Sequence, residues 1–513
     1  MQERELAFSK EWKAFLRQKR HLFIYGAGYY GRMCMELLEQ SGGVVEGFLV
    51  SSENHPDFYF GVPVLTASSF SVQEGDGIIV AFARASYDQL NIPRSRETDC
   101  LFPSSEWLMN RYLRDVWFPQ LEKMDRDEVS KAPLHEKPRL ENILVVRLDM
   151  IGDFLLTTPF LRELRRNYPA AHISLVVYDD LLDLACGCPF VDEVVSYPPK
   201  KLSGGRKKKV SWETEVAWTQ LAFRELQDRQ WDAVFLPRQL TACDHSCRGL
   251  LFAVLSGAPL RFGRMDVADE PIDRFFCREA QTMLSPIFQE TEPKHETQYI
   301  LDLLRACYCD VLDVSMEYWI SEANRVFARE ALGKRAGWAY IACGIVGSQP
   351  YRSWAPENYR KLFEKFNQEN VMFVLLGGRD ASEAAAAIGV HANIIDMTSR
   401  TTLPQAAAII EASDLYVGSD TGLLHFASAT GTPIVEFSVW LHGGDLKDIS
   451  APHRIGPWHV PTRILIPEPG LEGCQGRCRK SYAHCINTIT PEAAEKAMRD
   501  LLCQISEDGC SLE

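Results

Sequence analysis

The sequence predicts an α/β protein built from parallel sheets with covering helices, and three observations support that fold class. Strand patterns alternate with helical patterns along the chain, which is typical of parallel sheets. A strand, a glycine turn and a helix follow one another at three places, around residues 21–40, 143–167 and 415–427. The length of 513 residues exceeds one ordinary domain, and domains of about 100 to 200 residues predict three of them.

The composition is that of a globular protein, and the net charge argues against one class of binding partner. Hydrophobic residues make up 46% and charged residues 24% of the chain. The net charge of −14 argues against a general nucleic-acid binder, because a phosphate backbone would be repelled. Neither a signal peptide nor a run of apolar residues long enough to span a membrane is evident, so we expect a cytoplasmic protein. The 15 cysteines are then expected to be thiols.

Residues 1–118 are predicted to form a small Rossmann-like domain. A strand at His21–Tyr25 leads into three glycines with the spacing of a phosphate-binding turn, which are candidates for nucleotide binding: Gly26, Gly28 and Gly31. The second strand ends at Val50 without the acidic residue that would bind the ribose of NAD. Two interpretations stay open, a nucleotide site and glycines that serve only the geometry of the turn.

The second predicted domain, residues 140–320, follows a charged, proline-containing linker at residues 119–139. Ile143–Val146 predicts a buried strand that leads through Gly152 into a helix. Asp153 would then lie near a helix start, where free N–H groups and the helix dipole favour an ionised carboxylate suited to a base. Two alternatives stay open. In the first, Asp153 is only a capping residue. In the second, the helix begins around Thr157–Pro159 instead.

A basic run at residues 200–209 interrupts this acidic chain. It is interpreted either as a solvated loop or as an arm that meets phosphates of an acceptor or an anionic membrane surface. His295-Glu296-Thr297 opens a helical stretch further along the chain.

The third predicted domain, residues 321–513, contains the other strong signal. A buried strand delivers Asp420-Thr421-Gly422 to a helix start, where successive N–H groups and the threonine hydroxyl can hold a diphosphate without a metal. His425, one helical turn after Thr421, would face the same site. The alternatives are a satisfied core histidine and an aspartate that only caps its helix.

These two segments resemble glycosyltransferase family nine, the ADP-heptose:lipopolysaccharide heptosyltransferases. The first segment is Arg147-Leu148-Asp149-x-Ile151-Gly152-Asp153, followed by Thr157, Pro159 and Leu161. The second is Asp420-Thr421-Gly422-x-x-His425. The resemblance implies a GT-B-like pair of Rossmann-like domains, with the acceptor on residues 140–320 and the donor on residues 321–513. The small N-terminal domain in front of them resembles one found at the start of some sugar-modifying acetyltransferases.

The resemblance also implies roles for individual residues. Asp153 matches the catalytic base, and Arg352, two positions before Trp354, matches a basic residue that faces the nucleotide diphosphate. The implied donor-binding residues are Ser348, Asp380, Asp420, Thr421, Gly422, Leu423 and His425. Asp380 would accept hydrogen bonds from ribose hydroxyls. Ser438–Gly444 departs from the family pattern after the last strand, which leaves the nucleotide base open.

The implied activity is an inverting, metal-independent sugar transfer without a cofactor. The donor would be ADP-heptose or another nucleotide sugar, and the acceptor a lipopolysaccharide or another surface glycan or glycolipid, with the inner-membrane surface as a further contact. Two alternatives remain. One is a nicotinamide-dependent sugar oxidoreductase or epimerase that uses the N-terminal glycine turn, and the other is a non-catalytic nucleotide-sugar-binding module.

Cysteines cluster near the C-terminus as Cys474-x3-Cys478 with His484-Cys485. This spacing fits the common structural-zinc patterns poorly, so we expect thiols and no metal. The same expectation holds for Cys243 and Cys247, which flank His245.

Overall fold

The structure is a computed structural model of the chain. It describes residues 2–81, 100–125, 129–198, 212–227, 229–265, 271–286, 292–347, 349–446, 448, 451–467, 471, 474, 476, 478 and 480–510. Ser348 and the basic run at residues 200–209 lie outside the described residues. The chain divides into two compact units, each made of two separate segments: Met1–Pro133 with Ser196–Pro286, and Leu134–Val195 with Ile287–Glu513. The predicted domain boundaries at residues 118, 139 and 320 stay predictions.

The N-terminal segment of the first unit contains a mostly parallel sheet with flanking helices. Its elements are α1 (Gln2–Gln18), β1 (His21–Tyr25), α2 (Tyr29–Gln40), β2 (Val45–Val50), β3 (Phe58–Tyr59), β4 (Val62–Thr66), β5 (Asp76–Val80), β6 (Cys100–Leu101), α3 (Ser105–Tyr112) and α4 (Phe118–Met124). The strand order is β3-β4-β2-β1-β5-β6, and only β3 runs antiparallel to its neighbour. The order reverses next to β1, which leads into the predicted glycine turn.

The middle of the chain continues the alternation of strands and helices. Its elements are β7 (Asn142–Arg147), α5 (Ile151–Leu155), α6 (Thr158–Asn167), β8 (His172–Tyr178), α7 (Leu182–Ala185), β9 (Glu193–Tyr197), α8 (Trp212–Glu225), β10 (Ala233–Gln239), α9 (Asp244–Leu255), β11 (Leu260–Arg264), α10 (Pro271–Gln281) and α11 (Glu296–Ala306). β7 pairs with β8 and β10 pairs with β11, both in parallel. The buried apolar run of β7 ends where α5 begins, so the predicted strand, turn and helix are present.

The C-terminal part of the second unit is a six-stranded parallel sheet. Its elements are α12 (Glu322–Leu332), β12 (Ala339–Gly344), α13 (Pro356–Glu364), β13 (Val371–Leu376), α14 (Arg379–Ile388), β14 (Ile394–Asp396), α15 (Leu403–Glu411), β15 (Leu415–Ser419), α16 (Gly422–Thr430), β16 (Ile434–Phe437), α17 (Pro452–Ile455), β17 (Thr462–Leu465) and α18 (Pro491–Cys510). The order is β14-β13-β12-β15-β16-β17. Because the order reverses between β12 and β15, the loops after these two strands diverge and open a crevice at their carboxyl ends.

The core of this sheet explains why it forms. All six residues of β13 and all four of β16 are buried, as expected for strands covered by helices on both faces. Trp354, Tyr359 and Phe437 pack together beneath the crevice, with ring centroids 4.6 to 6.0 Å apart. The loop that follows β12 is therefore anchored at its far end by a buried tryptophan.

These observations confirm the predicted α/β class with several parallel sheets. Among the described residues, no helix is both long enough and apolar enough to cross a bilayer.

Candidate active site

Asp153 lies in the first turn of α5, and hydrogen bonds to its backbone carbonyl fix its position. The guanidinium of Arg147, which is fully buried, donates to the Asp153 carbonyl from Nε and Nη2 at 3.1 and 2.9 Å. Thr157 Oγ1 donates to the same carbonyl at 2.8 Å. The Asp153 carboxylate accepts from the Met150 N–H at 3.4 Å and remains 33% exposed. A fixed backbone with an accessible carboxylate is the arrangement that a general base requires.

Both predicted helix starts are present in this segment. α5 is a short helix that begins after Met150, and α6 begins after Thr157 with Pro159 in its first turn. The two possible helix starts are therefore those of successive helices, and the bond from the Met150 N–H to the Asp153 carboxylate shows that Asp153 also caps α5.

Asp420 lies between β15 and α16 and is paired with two basic side chains. Arg352 Nη1 lies 2.5 Å from Asp420 Oδ2, and His425 Nε2 lies 3.6 Å from Asp420 Oδ1. Each of the three side chains is less than 15% exposed. Arg352 comes from the loop after β12 and Asp420 from the end of β15, so the structure joins them at the point where the strand order reverses.

The electrostatics of this pair keep both partners charged. Burial acts to raise the pKa of Asp420, but the hydrogen bond from His425 and the charge of Arg352 outweigh it and lower that pKa below its usual value. Burial acts to lower the pKa of Arg352, and Asp420 reverses that effect, so the pKa of the guanidinium is raised. The guanidinium remains a cation at the start of α16, where it can meet a phosphate.

Glu436 is a fourth ionisable group of this site, and the sequence analysis missed it. It lies in β16, is completely buried, and has its pKa raised to about 8, first by burial and then by the charge of Asp420. Its Oε2 atom has no hydrogen-bond partner among the described residues. Glu436 is therefore a neutral acid at pH 7. The signal for it was a single acidic residue inside an otherwise apolar buried strand.

Two glycines bring the start of α5 against the start of α16. A Cβ atom on Gly152 would lie 2.4 Å from His425 Cδ2 and 2.9 Å from His425 Nε2. A Cβ atom on Gly422 would lie 3.0 Å from Ile151 Cγ2. Both glycines thus permit a close approach that a larger residue would prevent. The carboxylate of Asp153 and the Asp420 cluster consequently belong to one site within the second unit.

His295 and Glu296 lie at the start of α11, and His295 is close enough to His425 to be affected by its charge. His295 accepts from the Thr297 N–H at 3.3 Å through Nδ1, and its Nε2 lies 3.1 Å from the Gly456 carbonyl. Its ring stacks on Trp458 with centroids 4.0 Å apart. Burial lowers the pKa of His295 to about 4, and His425 contributes to this shift, so His295 is neutral. Glu296 pairs with Arg454 at 3.3 Å.

Other predicted site residues lie apart from this cluster or serve the chain geometry. Asp380 is exposed in the first turn of α14, after a strand two positions from β15, which places it about 10 Å along the sheet edge. Leu423 lies beside Gly344, 3.6 Å from where a Cβ atom would sit. The structure therefore brings Arg352, Asp420 and His425 together and places Asp380 further along the same edge. Their roles in donor binding stay predictions.

The N-terminal glycines satisfy the geometry of their own turn. Gly26 has a φ of 108°, and a Cβ atom on Gly31 would lie 2.0 Å from the Gly26 carbonyl oxygen. Gly28 is the N-cap residue of α2. The turn geometry accounts for Gly26 and Gly31 without a ligand, and nucleotide binding there stays a prediction.

Glycosyl transfer to a hydroxyl group needs a base for the acceptor and a site for the leaving diphosphate. The accessible carboxylate of Asp153 and the helix start of α16 are the candidates for these two elements. The doubly wound α/β fold is that of the class of GT-B-like glycosyltransferases. The sequence profile described as glycosyltransferase family 9 (heptosyltransferase) matches residues 294–437. Over these residues the chain is similar to that family.

Relatives and solved structures agree with that similarity. Lipopolysaccharide heptosyltransferase 3 of Escherichia coli is 22% identical over 293 residues, which cover 55% of this chain and 79% of the relative. A family 9 glycosyl transferase from Veillonella parvula has a TM-score of 0.56 at 21% identity, covering 71% of this chain and 98% of that structure. The ADP-heptose lps heptosyltransferase II structure from E. coli has a TM-score of 0.51 at 18% identity, covering 71% and 99%. At these identities the structural likeness establishes the fold alone.

Proposed function

We propose that the protein transfers a heptose-like sugar from ADP-heptose to a lipopolysaccharide or another surface glycan, with inversion at the anomeric carbon and without a catalytic metal. The observation that carries the proposal is the contact of Gly152 with His425, which sets the accessible carboxylate of Asp153 beside the diphosphate-binding start of α16. The name of the E. coli relative supports heptose and lipopolysaccharide. The two sequence segments that resemble the family support ADP.

Asp153 is the general base of the proposed reaction. Its carboxylate takes the proton of the acceptor hydroxyl while the oxygen attacks the anomeric carbon from the face opposite the diphosphate, so the configuration inverts. The hydrogen bonds from Arg147 and Thr157 to the Asp153 carbonyl fix the position of the base. A positioned base of this kind contributes about 10² to 10⁴ in rate.

Arg352 and the start of α16 stabilise the leaving diphosphate. The free N–H groups at the helix start and the guanidinium together offset the negative charge that develops as the glycosidic bond breaks. Asp420 orients Arg352, and the neutral Glu436 adds no charge that would repel the phosphates at pH 7. The acceptor is a glycan or glycolipid presented at the cytoplasmic face of the inner membrane.

The test is transfer from ADP-heptose to lipopolysaccharide cores of increasing length, with release of ADP as the readout. We expect the Asp153→Asn variant to lose about 10² to 10⁴ in rate while its affinity for ADP stays unchanged. The matched control is Asp183→Asn, an exposed aspartate of α7. Transfer by Asp153→Asn at the rate of the control would refute the role of Asp153. NMR of the product tests inversion, and retention of configuration would refute this mechanism.

Donor identity is tested separately by calorimetric titration with ADP, UDP, GDP, dTDP and NADH. The proposal predicts that ADP binds most tightly. Preference for another diphosphate would keep the transferase and change its donor. Nucleotide binding without turnover of any donor, in the unmodified protein, would instead favour the non-catalytic binding module.

A further inference from the structure

Four potential metal ligands from the C-terminal segment converge in the second unit. The structure brings the Sγ atoms of Cys474, Cys478 and Cys485 and a ring nitrogen of His484 within 4.8 Å of one another. The three cysteines are buried, and with Leu441 they form a small separate core. The spacing Cys-x3-Cys-x5-His-Cys did not predict this cluster.

The distances within the cluster match those of a tetrahedral site. His484 Nδ1 lies 3.7 Å from Cys474 Sγ, 3.8 Å from Cys478 Sγ and 3.3 Å from Cys485 Sγ. Metal–sulfur bonds of about 2.3 Å and metal–nitrogen bonds of about 2.0 Å in a tetrahedron require sulfur–nitrogen separations of about 3.6 Å. A single imidazole nitrogen at this distance from three sulfurs is therefore already placed as one corner of such a site.

We propose that Cys474, Cys478, His484 and Cys485 bind one divalent transition-metal ion of the thiolate-preferring class, with Zn²⁺ as the first candidate. Three thiolates and one imidazole are a ligand set that tetrahedral zinc favours. Four protein ligands complete the coordination and leave no open position, so the ion is structural and takes no part in glycosyl transfer.

The backbone around the cluster indicates what the ion would stabilise. The Leu441 N–H donates to the Gly476 carbonyl at 2.7 Å, and the Cys478 N–H donates to the Val439 carbonyl at 3.2 Å. These bonds attach the ligand segment to the chain that leaves β16, four residues or fewer after Phe437. The ion would therefore fix the segment that replaces the usual family sequence after this strand.

The same ligands connect to the loop that carries Arg352. Cys485 begins a 3₁₀ turn at Cys485–Thr488, and Asn487 Oδ1 in that turn accepts from the Ala355 N–H at 3.0 Å. The Trp354 indole N–H donates to the Ile489 carbonyl at 2.9 Å. Arg352 is thus two to three residues from two anchor points on the ligand segment, and the metal supports its loop.

Elemental analysis of the full chain, purified with a reducing agent and without chelator, is the first test. We expect about one equivalent of zinc per chain, and one equivalent of iron would also support the site. Less than about one tenth of an equivalent of any transition metal, together with no cobalt binding, would overturn the proposal. A disulfide among these cysteines in the reduced preparation, detected by mass spectrometry, would overturn it as well.

Cobalt substitution identifies the ligands. We expect Co²⁺ added to the metal-free protein to give thiolate charge-transfer bands and the intense visible bands of tetrahedral cobalt. Cys478→Ser and His484→Ala are expected to lower cobalt affinity at least tenfold, whereas His484→Cys retains one equivalent. Cys503→Ser, an exposed cysteine of α18, is the matched control. Unchanged metal content and spectrum in Cys478→Ser would refute the assignment.

A thermal scan of the unaltered protein tests the proposal without any variant, so it applies even if a variant fails to fold. Removal of the ion from the unaltered protein with a chelator is expected to lower its thermal midpoint, and one equivalent of Zn²⁺ is expected to restore it, because the ion binds only the folded state. A midpoint unaffected by chelation that removes a full equivalent of metal would contradict the structural role.

Discussion

Two helices of this chain begin after a central strand of a doubly wound sheet, yet their surroundings differ. α2 follows β1, and α16 follows β15, each where the strand order reverses. At α2, Arg32 pairs with Glu36 at 3.6 Å and Glu215 at 3.4 Å, all nearly buried. At α16, Arg352 pairs with Asp420 next to the accessible carboxylate of Asp153. We infer that a glycine turn sets the local backbone conformation, whereas the charged groups around it determine whether a ligand binds there.

The largest expected difference between the two helix starts concerns their arginines. Arg352→Met should weaken ADP binding about 10- to 100-fold, because hydrogen bonds to a charged group contribute about 1.5 to 3 kcal/mol. Arg32→Met should leave ADP affinity unchanged and lower the free energy of unfolding by about 3 to 5 kcal/mol, because it breaks a buried ion pair. Calorimetric titration and thermal scans measure both quantities. Weaker ADP binding in Arg32→Met, comparable to that of Arg352→Met, would place a nucleotide at the N-terminal turn.

The N-terminal turn can also be altered directly. Gly31→Ala places a Cβ atom 2.0 Å from the Gly26 carbonyl oxygen and 3.3 Å from the Phe48 ring. We expect a loss of about 1 to 3 kcal/mol in stability and no change in ADP affinity. Gly249→Ala in α9 is the control, since its nearest contact would be 3.7 Å. An ADP affinity that falls in Gly31→Ala and not in the control would contradict a purely structural turn.

The contact between α5 and α16 offers a test of the active site. Gly152→Ala should push α5 away from His425 and lower the transfer rate by about tenfold or more, since a shift of about 1 Å at reacting groups can cost 10²-fold. Gly187→Ala, with its nearest contact at 3.6 Å, should keep the normal rate. Because the clash is with the imidazole, the stability cost of Gly152→Ala should shrink in a His425→Ala background. Equal costs in both backgrounds would show that the two residues are not coupled.

Ionisation of Glu436 as the pH rises is expected to change ADP affinity less than Arg352→Met does. A pKa raised from 4.5 to about 8 means that the folded protein binds the proton more tightly than the unfolded chain. The stability of the unaltered protein should therefore fall as the pH rises from 4.5 to about 8, and Glu436→Gln should lack this component. Above pH 8 the ionised Glu436 should weaken ADP binding by less than about tenfold relative to Glu436→Gln. Glu364→Gln, at an exposed position, is the control, and identical pH profiles in all three proteins would refute the burial of a neutral acid.

Much of the fold was predictable because buried parallel strands leave a clear pattern. β7 contains the predicted strand Ile143–Val146, and α5, which begins at Ile151, contains the predicted glycine Gly152. The pairing of Arg352 with Asp420 was not predictable from spacing alone, since 68 residues separate them. Only the sheet order, which places β12 beside β15, brings their loops together.

Other parts of the site were hidden for different physical reasons. β16, which contains Glu436, is buried on both faces. Its sequence therefore lacks the alternation of polar and apolar residues that would show which way Glu436 faces. The ligand cluster at Cys474 depends on how an irregular segment folds back on the chain after β16, which no local pattern records. The compact units also combine segments that are distant in sequence, as residues 196–286 join residues 1–133.

The interior of that first unit limits how this protein can be divided. Glu215 binds Arg32 from α2 and Arg248 from α9, and Asp125 pairs with Arg261 at 2.8 Å. Phe118 of α4 packs on Phe276 of α10 with ring centroids 5.5 Å apart. A gene shortened to begin after residue 133 would expose these buried charges and rings. Exchange of the N-terminal domain for that of another protein would therefore have to carry residues 196–286 with it.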